Sequence, residues 1–238
     1  MGIRRFGTLL CLALAAFAAA AQGQSERVVG FECGGKIREA KIYAPEGRQR
    51  KKLPLVFVFH GRGGMINSVA RNMAIHKYWP EAVVVYPQGL WVEGGLRDGY
   101  GWLISPDSRD LEMFDTLLDM LKREYRIDNS RIYATGHSNG GGFVYALWTW
   151  RGDKLAAVAP SASSSARVGE GRYNRRPMPV LIVGGEADHL VKIETVRREI
   201  AMARKINGDC EVATFIHAGG HKFVPEAAEK IVQFFKCH

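Results

Sequence analysis

The segment of this sequence best suited to chemistry is GHSNG at residues 136–140, in which Gly136 and Gly140 flank Ser138 at a distance of two positions. An apolar run at residues 132–135 precedes it and a helix-like run at residues 141–148 follows it. A tight strand-to-helix turn needs small residues at these two positions, because a Cβ there would strike the neighbouring elements. The pattern predicts that Ser138 is a nucleophile at the apex of such a turn. A glycine-rich loop with a surface serine is the alternative.

A carboxylate follows a later apolar run. Residues 180–183 lead into GGEADH at residues 184–189. A catalytic carboxylate has to leave the carboxyl end of a strand in a loop, where it can accept a hydrogen bond from an imidazole. Asp188 is predicted to be this acid, and Glu186 is the alternative.

Two histidines compete for the role of base. The run at residues 212–216 is followed by HAGGH at residues 217–221. His221 lies beyond two glycines in a loop that can reach Ser138, and it is the predicted base. His217, directly at the strand end, is the alternative base and is otherwise expected to be packed and hydrogen-bonded.

The chain order Ser138, Asp188, His221 is the order found in α/β-hydrolases. In the predicted mechanism His221 takes the Ser138 proton during attack on an ester carbonyl, and Asp188 holds the resulting imidazolium. Water then cleaves the acyl-enzyme.

A glycine-rich loop, HGRGG at residues 60–64, follows the apolar run at residues 55–59. In this architecture such a loop supplies half of the oxyanion hole. The backbone N–H groups of Arg62 and Asn139 are the predicted donors to the oxyanion. An ordinary turn with His60 hydrogen-bonded in the core is the alternative.

Residues 90–105 form a long aromatic-containing stretch with little periodicity, typical of a functional loop. Trp91 and Trp102 are predicted to form a wall for an aromatic or polymeric substrate, although packing beneath the loop would also explain them. His137, whose side chain must point away from Ser138 across the turn, is predicted to line the pocket or to be structural.

The elements that position these residues alternate between strands and helices. Continuous apolar runs at residues 55–59, 83–86, 155–159 and 180–183 suit strands buried on both faces of a parallel sheet. Residues 37–43 are predicted to be an antiparallel edge strand, and a helix begins near Asp110, which is its expected cap. The fold class predicted is α/β, a doubly wound, mostly parallel sheet with helices on both faces.

The first 24 residues have the pattern of a signal peptide: Arg4 and Arg5, an apolar stretch, and an alanine-rich end. We expect residues 25–238 to form a single catalytic domain that is secreted or periplasmic, with no membrane span. A retained anchor is the alternative. Removal of the two arginines lowers the formal charge from +9 to +7. Basic clusters at residues 48–52 and 172–176 are expected to be solvated loops, and no segment has a nucleic-acid-binding pattern.

Three cysteines remain after export, namely Cys33, Cys210 and Cys237. If residues 212–216 form a parallel strand and residues 225–235 the helix that returns from its far end, Cys210 and Cys237 finish at the same edge. A disulfide between them is predicted, and three free thiols are the alternative. No spacing resembles a metal site, and no metal or other cofactor is expected.

Seven motifs together resemble the secreted esterase group that contains polyhydroxybutyrate depolymerases and feruloyl or acetylxylan esterases. They are LPLVFVFHGRGG, YPQGL, GW, DLEMFDTLLDMLKREYRIDNSRIYATGHSNGGG, LAAVAPSAS, PVLIVGGEAD and GGHKF. The resemblance implies the α/β-hydrolase fold and a serine esterase that uses Ser138, Asp188 and His221. Members of the group commonly have a tryptophan after the catalytic histidine, where this chain has Lys222.

The expected partner is a small or oligomeric ester, including esters linked to polysaccharide, and no nucleic acid. Feruloylated or acetylated sugars and short hydroxyalkanoate oligomers fit this description. An exopeptidase or an acyltransferase on the same fold is an alternative. A non-catalytic protein that binds wall polymers is another.

Overall fold

The computed structural model describes residues 23–94 and 97–238. The predicted signal peptide therefore lies outside the described residues except for Gly23 and Gln24, and its removal remains a prediction. Gln24 is the first residue of a strand and pairs with Pro45.

The main sheet has eight strands in the spatial order β1-β2-β4-β3-β7-β8-β9-β10, and a separate hairpin joins β5 and β6. The strands are β1 (Gln24–Cys33), β2 (Lys36–Pro45), β3 (Leu53–Phe59), β4 (Val83–Pro87), β5 (Leu90–Val92), β6 (Gly99–Gly101), β7 (Ile127–His137), β8 (Ala157–Ser161), β9 (Val180–Gly185) and β10 (Val212–His217). From β4 to β10 every neighbouring pair in the main sheet is parallel, whereas β1 with β2 and β2 with β4 are antiparallel.

Helices cover both faces of this sheet, as the sequence predicted. They are α1 (Ile66–Asn72), α2 (Ile75–Tyr78), α3 (Arg109–Glu124), α4 (Asn139–Trp150), α5 (Ile193–Asn207) and α6 (Pro225–Lys236), with short 3-10 segments at Gly152–Lys154 and Ala166–Asn174. Helices α3, α4 and α5 pack against one apolar cluster, and α1, α2 and α6 pack against the other. Every residue of β3, β4, β8 and β9 is buried, which explains why these strands read as continuous apolar runs.

The prediction that residues 37–43 form the edge strand is wrong in one respect. They lie within β2, which has a neighbour on each side, and the edge is β1. Strand β1 is largely solvent-exposed, with Val28 at 53% exposure. Because it lacks a buried apolar run, its sequence offers little signal for a strand.

The expected cap of α3 is also wrong. Ser108 caps the helix, and its side chain accepts a hydrogen bond from Leu111 N–H. Asp110 is instead fully buried, where it pairs with Arg38 at 2.8 Å and accepts a hydrogen bond from Leu103 N–H at 2.8 Å. A buried carboxylate requires such partners, since water cannot solvate it. Asp110 therefore links β2 to the loop that leads into α3.

The predicted disulfide is not formed, and Cys33, Cys210 and Cys237 are all free thiols. The two chain segments do meet, because His238 Nε2 lies 3.1 Å from Glu211 Oε2. That contact joins the residues next to the two cysteines, so the shared edge was predicted correctly but the thiols are not joined there.

Over the described ranges, no helix has both the length and the apolar character needed to cross a bilayer. Within residues 23–94 and 97–238, no three His, Cys, Asp or Glu side chains are grouped as metal ligands.

Two buried histidines outside the segment that carries Ser138 make the fold sensitive to acid. His60 Nε2 accepts a hydrogen bond from Gly89 N–H at 2.9 Å. His76 Nδ1 lies 2.8 Å from the Tyr86 hydroxyl, which also accepts the His76 backbone N–H. His60 Nε2 and His76 Nδ1 therefore act as acceptors. Burial lowers the pKa of each histidine to about 4. Below pH 6.5 the unfolded chain binds protons that the folded chain refuses until about pH 4, so stability falls as the pH falls.

We expect the free energy of unfolding to drop by about 2 kcal/mol for each of these two histidines between pH 7 and pH 5. Urea denaturation at the two pH values measures this. In the variant His76→Gln, the drop in the free energy of unfolding between pH 7 and pH 5 should be smaller by the contribution of one histidine. Identical urea midpoints at pH 7 and pH 5 in the parent would contradict the assignment of neutral, buried imidazoles.

Candidate active site

Ser138 stands at the turn between β7 and α4, in a backbone conformation that side chains rarely adopt. Its φ is 57° and its ψ is −119°. A Cβ at Gly136 would lie 2.6 Å from the carbonyl carbon of Gly140, and a Cβ at Gly140 would overlap the Phe59 carbonyl oxygen. Both positions thus require glycine for steric reasons, as the sequence predicted. The turn presents the Ser138 side chain at the carboxyl edge of the sheet.

The structure brings Ser138, His221 and Asp188 together in one hydrogen-bonded chain. His221 Nε2 lies 2.8 Å from Ser138 Oγ, and His221 Nδ1 lies 2.7 Å from Asp188 Oδ2. The three residues come from the ends of β7, β9 and β10, which are adjacent or nearly adjacent strands. Parallel strands end at the same sheet edge, and this explains how residues so distant in sequence meet.

Asp188 is held as an ionised acceptor. Its Oδ1 accepts backbone N–H groups from Leu190 at 2.8 Å and Val191 at 2.9 Å. Burial raises the pKa of Asp188, but the hydrogen bonds from Val191, His221 and Leu190 outweigh it, and the pKa lies below its ordinary value. Since Asp188 stays charged, the arrangement can keep the His221 proton on Nδ1 and leave Nε2 free to accept from Ser138.

The alternative acid, Glu186, and the alternative base, His217, lie outside this chain of hydrogen bonds. Glu186 has an exposed side chain, and its backbone N–H bonds to the His217 carbonyl. His217 Nδ1 accepts the Gly219 N–H at 3.1 Å, so that imidazole braces its own loop.

The HGRGG loop lies directly against Ser138. A Cβ at Gly61 would sit 3.3 Å from the Ser138 Cβ. Neutral His60 anchors the loop, because its Nδ1 lies 2.7 Å from the Gly61 carbonyl oxygen and its Nε2 accepts from Gly89 N–H. The expectation for His60 was a general hydrogen bond in the core, whereas its side chain ties the loop to the residues that follow β4.

Among the described residues, no other group accepts a hydrogen bond from the backbone N–H of either predicted oxyanion donor. Asn139 is the first residue of α4, where a helix has no internal acceptor for its N–H. Arg62 N–H has no acceptor among the residues that the structure describes. Their action as an oxyanion hole remains a prediction, and it fits the closeness of the loop to Ser138.

Trp102 does not form a substrate wall, and this prediction is wrong. Its side chain is 1% exposed, packs against Phe59 and Phe143, and donates from Nε1 to the His60 carbonyl at 2.8 Å. Its backbone clamps Asn139, whose Oδ1 accepts from Trp102 N–H at 2.8 Å and whose Nδ2 donates to Trp102 O at 3.1 Å. Trp102 is therefore a buried residue that holds the Asn139 side chain in place.

Trp91, by contrast, is 53% exposed and available to a ligand. It lies on β5 opposite Tyr100 of β6, and the two rings meet edge to face at 5.6 Å. The same hairpin touches the HGRGG loop, since Gly63 N–H donates to Tyr100 O at 2.7 Å. Contact between Trp91 and substrate stays a prediction.

His137 lies beside the base, with its ring centroid 4.9 Å from that of His221. Its Nδ1 is 3.2 Å from Ser161 Oγ. Burial, with a further contribution from the neighbouring His221, lowers the pKa of His137 to about 4. A neutral His137 can border the site without adding a charge next to His221.

Two cavities border the catalytic residues, one lined by His221 and the other by Ser138. One, of about 460 Å³, is bordered by His221, His137, Phe223, Gly61 and Met73. The other, of about 250 Å³, contains Ser138 itself; its lining includes Arg62, Ile104, Arg167, Leu190 and Val191. Both cavities therefore offer space next to the catalytic residues for parts of an ester. The sequence signalled the nucleophile but not the second cavity, whose lining comes from separate loops.

The fold and this arrangement define an α/β-hydrolase: a mostly parallel eight-stranded sheet with helices on both faces and a serine elbow at its carboxyl edge. Among solved structures, the fluorophosphonate-binding serine hydrolase FphF of Staphylococcus aureus superposes with a TM-score of 0.70 at 13% identity, covering 89% of this chain and 98% of that one. At that identity the similarity concerns the fold. No family model matches the chain.

Curated relatives confirm the predicted resemblance to feruloyl and acetylxylan esterases. The bifunctional acetylxylan esterase/xylanase of Neocallimastix patriciarum is 30% identical over 168 residues, which is 68% of this chain and 23% of that protein. The "Probable feruloyl esterase C" of Aspergillus terreus is 29% identical over 186 residues, which is 74% of this chain and 64% of that protein. The matched region thus covers less than two thirds of the length of each relative.

Proposed function

We propose that this chain is a serine esterase that hydrolyses carboxylic esters through an acyl-enzyme on Ser138. The observation that carries the proposal is the unbroken chain of hydrogen bonds from Asp188 through His221 to Ser138, at 2.7 and 2.8 Å. Esterase names among the relatives support the same reaction class.

In the proposed reaction Ser138 Oγ attacks the ester carbonyl carbon while its proton passes to His221 Nε2. The Asp188 carboxylate stabilises the imidazolium, and the N–H groups of Arg62 and Asn139 bind the carbonyl oxygen as it gains negative charge. His221 then protonates the departing alkoxide, which leaves the acyl group on Ser138. Water, deprotonated by His221, releases the carboxylic acid and restores the serine.

The substrate that we propose is an ester on a soluble sugar or oligomer, of the feruloyl or acetyl kind, in line with the relatives' names. Short 3-hydroxybutyrate esters, suggested by the motif resemblance to polyhydroxybutyrate depolymerases, are the alternative. The proposal includes export from the cytoplasm, supported by the charge and apolar pattern of the first 24 residues. Hydrolysis rates across feruloyl, acetyl and 3-hydroxybutyrate esters would rank these substrates.

A fluorophosphonate probe tests the nucleophile without requiring the natural substrate. We expect one equivalent to attach to Ser138, because an activated Oγ displaces fluoride from phosphorus while His221 accepts the proton. Intact mass and peptide mapping locate the adduct. His221→Ala should slow labelling by at least about a hundredfold, since it removes the general base.

His238→Ala is the matched control, because it removes an imidazole that lies beside Glu211, outside the loop of His221, and it should label at close to the parental rate. A folded parent protein that fails to react would overturn the proposal in favour of a binding protein. Turnover of amide substrates in preference to esters would instead favour a peptidase.

A further inference from the structure

The cavity that contains Ser138 has two cationic residues in its lining. Arg62 and Arg167 both line it, and no carboxylate is among the described residues of that lining. The rest of the wall near them is apolar or neutral, with Ile104, Leu190 and Val191. Two arginines in the lining of one small cavity bring like charges close together, which is unfavourable unless an anion binds near them.

The surroundings of Arg62 show that its side chain is held in place by neutral groups. Its Nη1 donates to the carbonyl oxygens of Val92 at 3.2 Å and Gly99 at 3.4 Å. These acceptors orient the guanidinium but supply no negative charge. Arg62 is partly buried, which strengthens its electrostatic interaction with any ion in the cavity.

Arg167 is close enough to Arg62 for the two charges to interact. Burial lowers the pKa of Arg62, and the charge of Arg167 lowers it further, whereas Asp98 acts in the opposite direction. The carboxylate of Asp98 is already engaged, because its Oδ1 accepts the Gly94 N–H at 2.7 Å. Asp188 is committed to His221, Leu190 and Val191.

We propose that Arg62 and Arg167 form a carboxylate-binding subsite beside Ser138, and that the preferred ester carries a free carboxylate at the end of a short apolar arm. This inference rests on the proposed esterase function. The planar guanidinium matches a carboxylate in geometry as well as charge. The apolar walls would contact the arm between the scissile ester and the carboxylate.

The carboxylate could belong to either half of the ester, and two matched substrate pairs separate these cases. For the acyl half, the p-nitrophenyl monoester of glutaric acid is compared with the p-nitrophenyl ester of glutaric acid monoamide. For the alcohol half, 4-carboxyphenyl pentanoate is compared with 4-carbamoylphenyl pentanoate. In each pair a carboxylate replaces a neutral amide of nearly the same shape.

Arg167→Gln is the informative variant, because its backbone is not a predicted oxyanion donor as that of Arg62 is. The quantity measured is the ratio of kcat/KM for the charged ester to kcat/KM for its neutral partner. In one of the two pairs we expect the parent to favour the carboxylate and Arg167→Gln to lower the ratio about tenfold, as for the loss of one charge-assisted hydrogen bond. Arg204→Gln, which removes the same charge from an exposed position on α5, should keep the parental ratio.

The possible results lead to different conclusions. A ratio that is the same in the parent and in Arg167→Gln for both pairs, while the neutral esters are hydrolysed, overturns the subsite and leaves the esterase proposal standing. An equal drop in Arg204→Gln also overturns it, since the effect would then reflect overall charge. Failure of the folded parent to hydrolyse any of the four esters overturns both proposals.

Discussion

Ser138→Ala is expected to lower kcat/KM for a short p-nitrophenyl ester by about 10⁴- to 10⁶-fold, as for removal of the nucleophile in other serine hydrolases. The Ser138 Oγ is the atom that would become acylated, and an alanine at this position offers nothing in its place. The remaining rate would come from substrate binding and the oxyanion donors. Steady-state hydrolysis, measured beside the parent, gives the ratio.

The fold of this variant should be unchanged. His221 is the hydrogen-bond partner of Ser138 Oγ among the described residues, and alanine retains the Cβ around which the turn is built. Thermal unfolding should therefore agree with the parent within a few degrees. Ser130→Ala, at an exposed serine near the start of β7, is the control and should keep full activity. Parental turnover by Ser138→Ala would remove the basis of the proposed mechanism.

Asp188→Asn is expected to lower kcat by about 10³- to 10⁴-fold with little change in structure. Asparagine can point an N–H donor at His221 Nδ1, which then has to accept, so the imidazole proton moves to Nε2. In that tautomer Nε2 cannot take the proton from Ser138. The imidazolium would also lose the negative charge that lies 2.7 Å away in the parent.

Glu186→Gln is the matched control, because it makes the same chemical change two residues earlier on an exposed side chain. It should retain nearly all activity. If Glu186→Gln were the damaging change and Asp188→Asn were mild, the acid would have been assigned to the wrong residue. Circular dichroism of both variants would separate a catalytic loss from a folding defect.

The sequence alone predicted the parts of the molecule that local physics specifies. The strands β3, β4 and β9 have no face in water, so their residues form unbroken apolar runs. The glycines around Ser138 are sterically required, so they appear as a motif. Because parallel strands share a carboxyl edge, the meeting of residues at the ends of β7, β9 and β10 followed from strand order.

The predictions that failed concern long-range packing. Trp102 was expected to face substrate, but the loop folds its ring under the site, and no periodicity in residues 90–105 signals which aromatics turn inward. The prediction of a cap at Asp110 uses only its neighbours in sequence, whereas its true partner, Arg38, is 72 residues away. The cavity wall formed by Arg62 and Arg167 likewise depends on how two distant loops approach each other.

The position of β10 has a consequence for how this protein would lose activity. This strand pairs only with β9 among the described strands, and its outer residues are partly exposed, with Ile216 at 37%. His221 lies in the segment that follows it. Edge elements commonly detach at lower free energy than the centre of a sheet. If β10 detached, His221 would move away from Ser138 while β3, β7 and the nucleophile turn stayed native. On warming, the protein would therefore lose activity at a lower temperature than that at which its core unfolds.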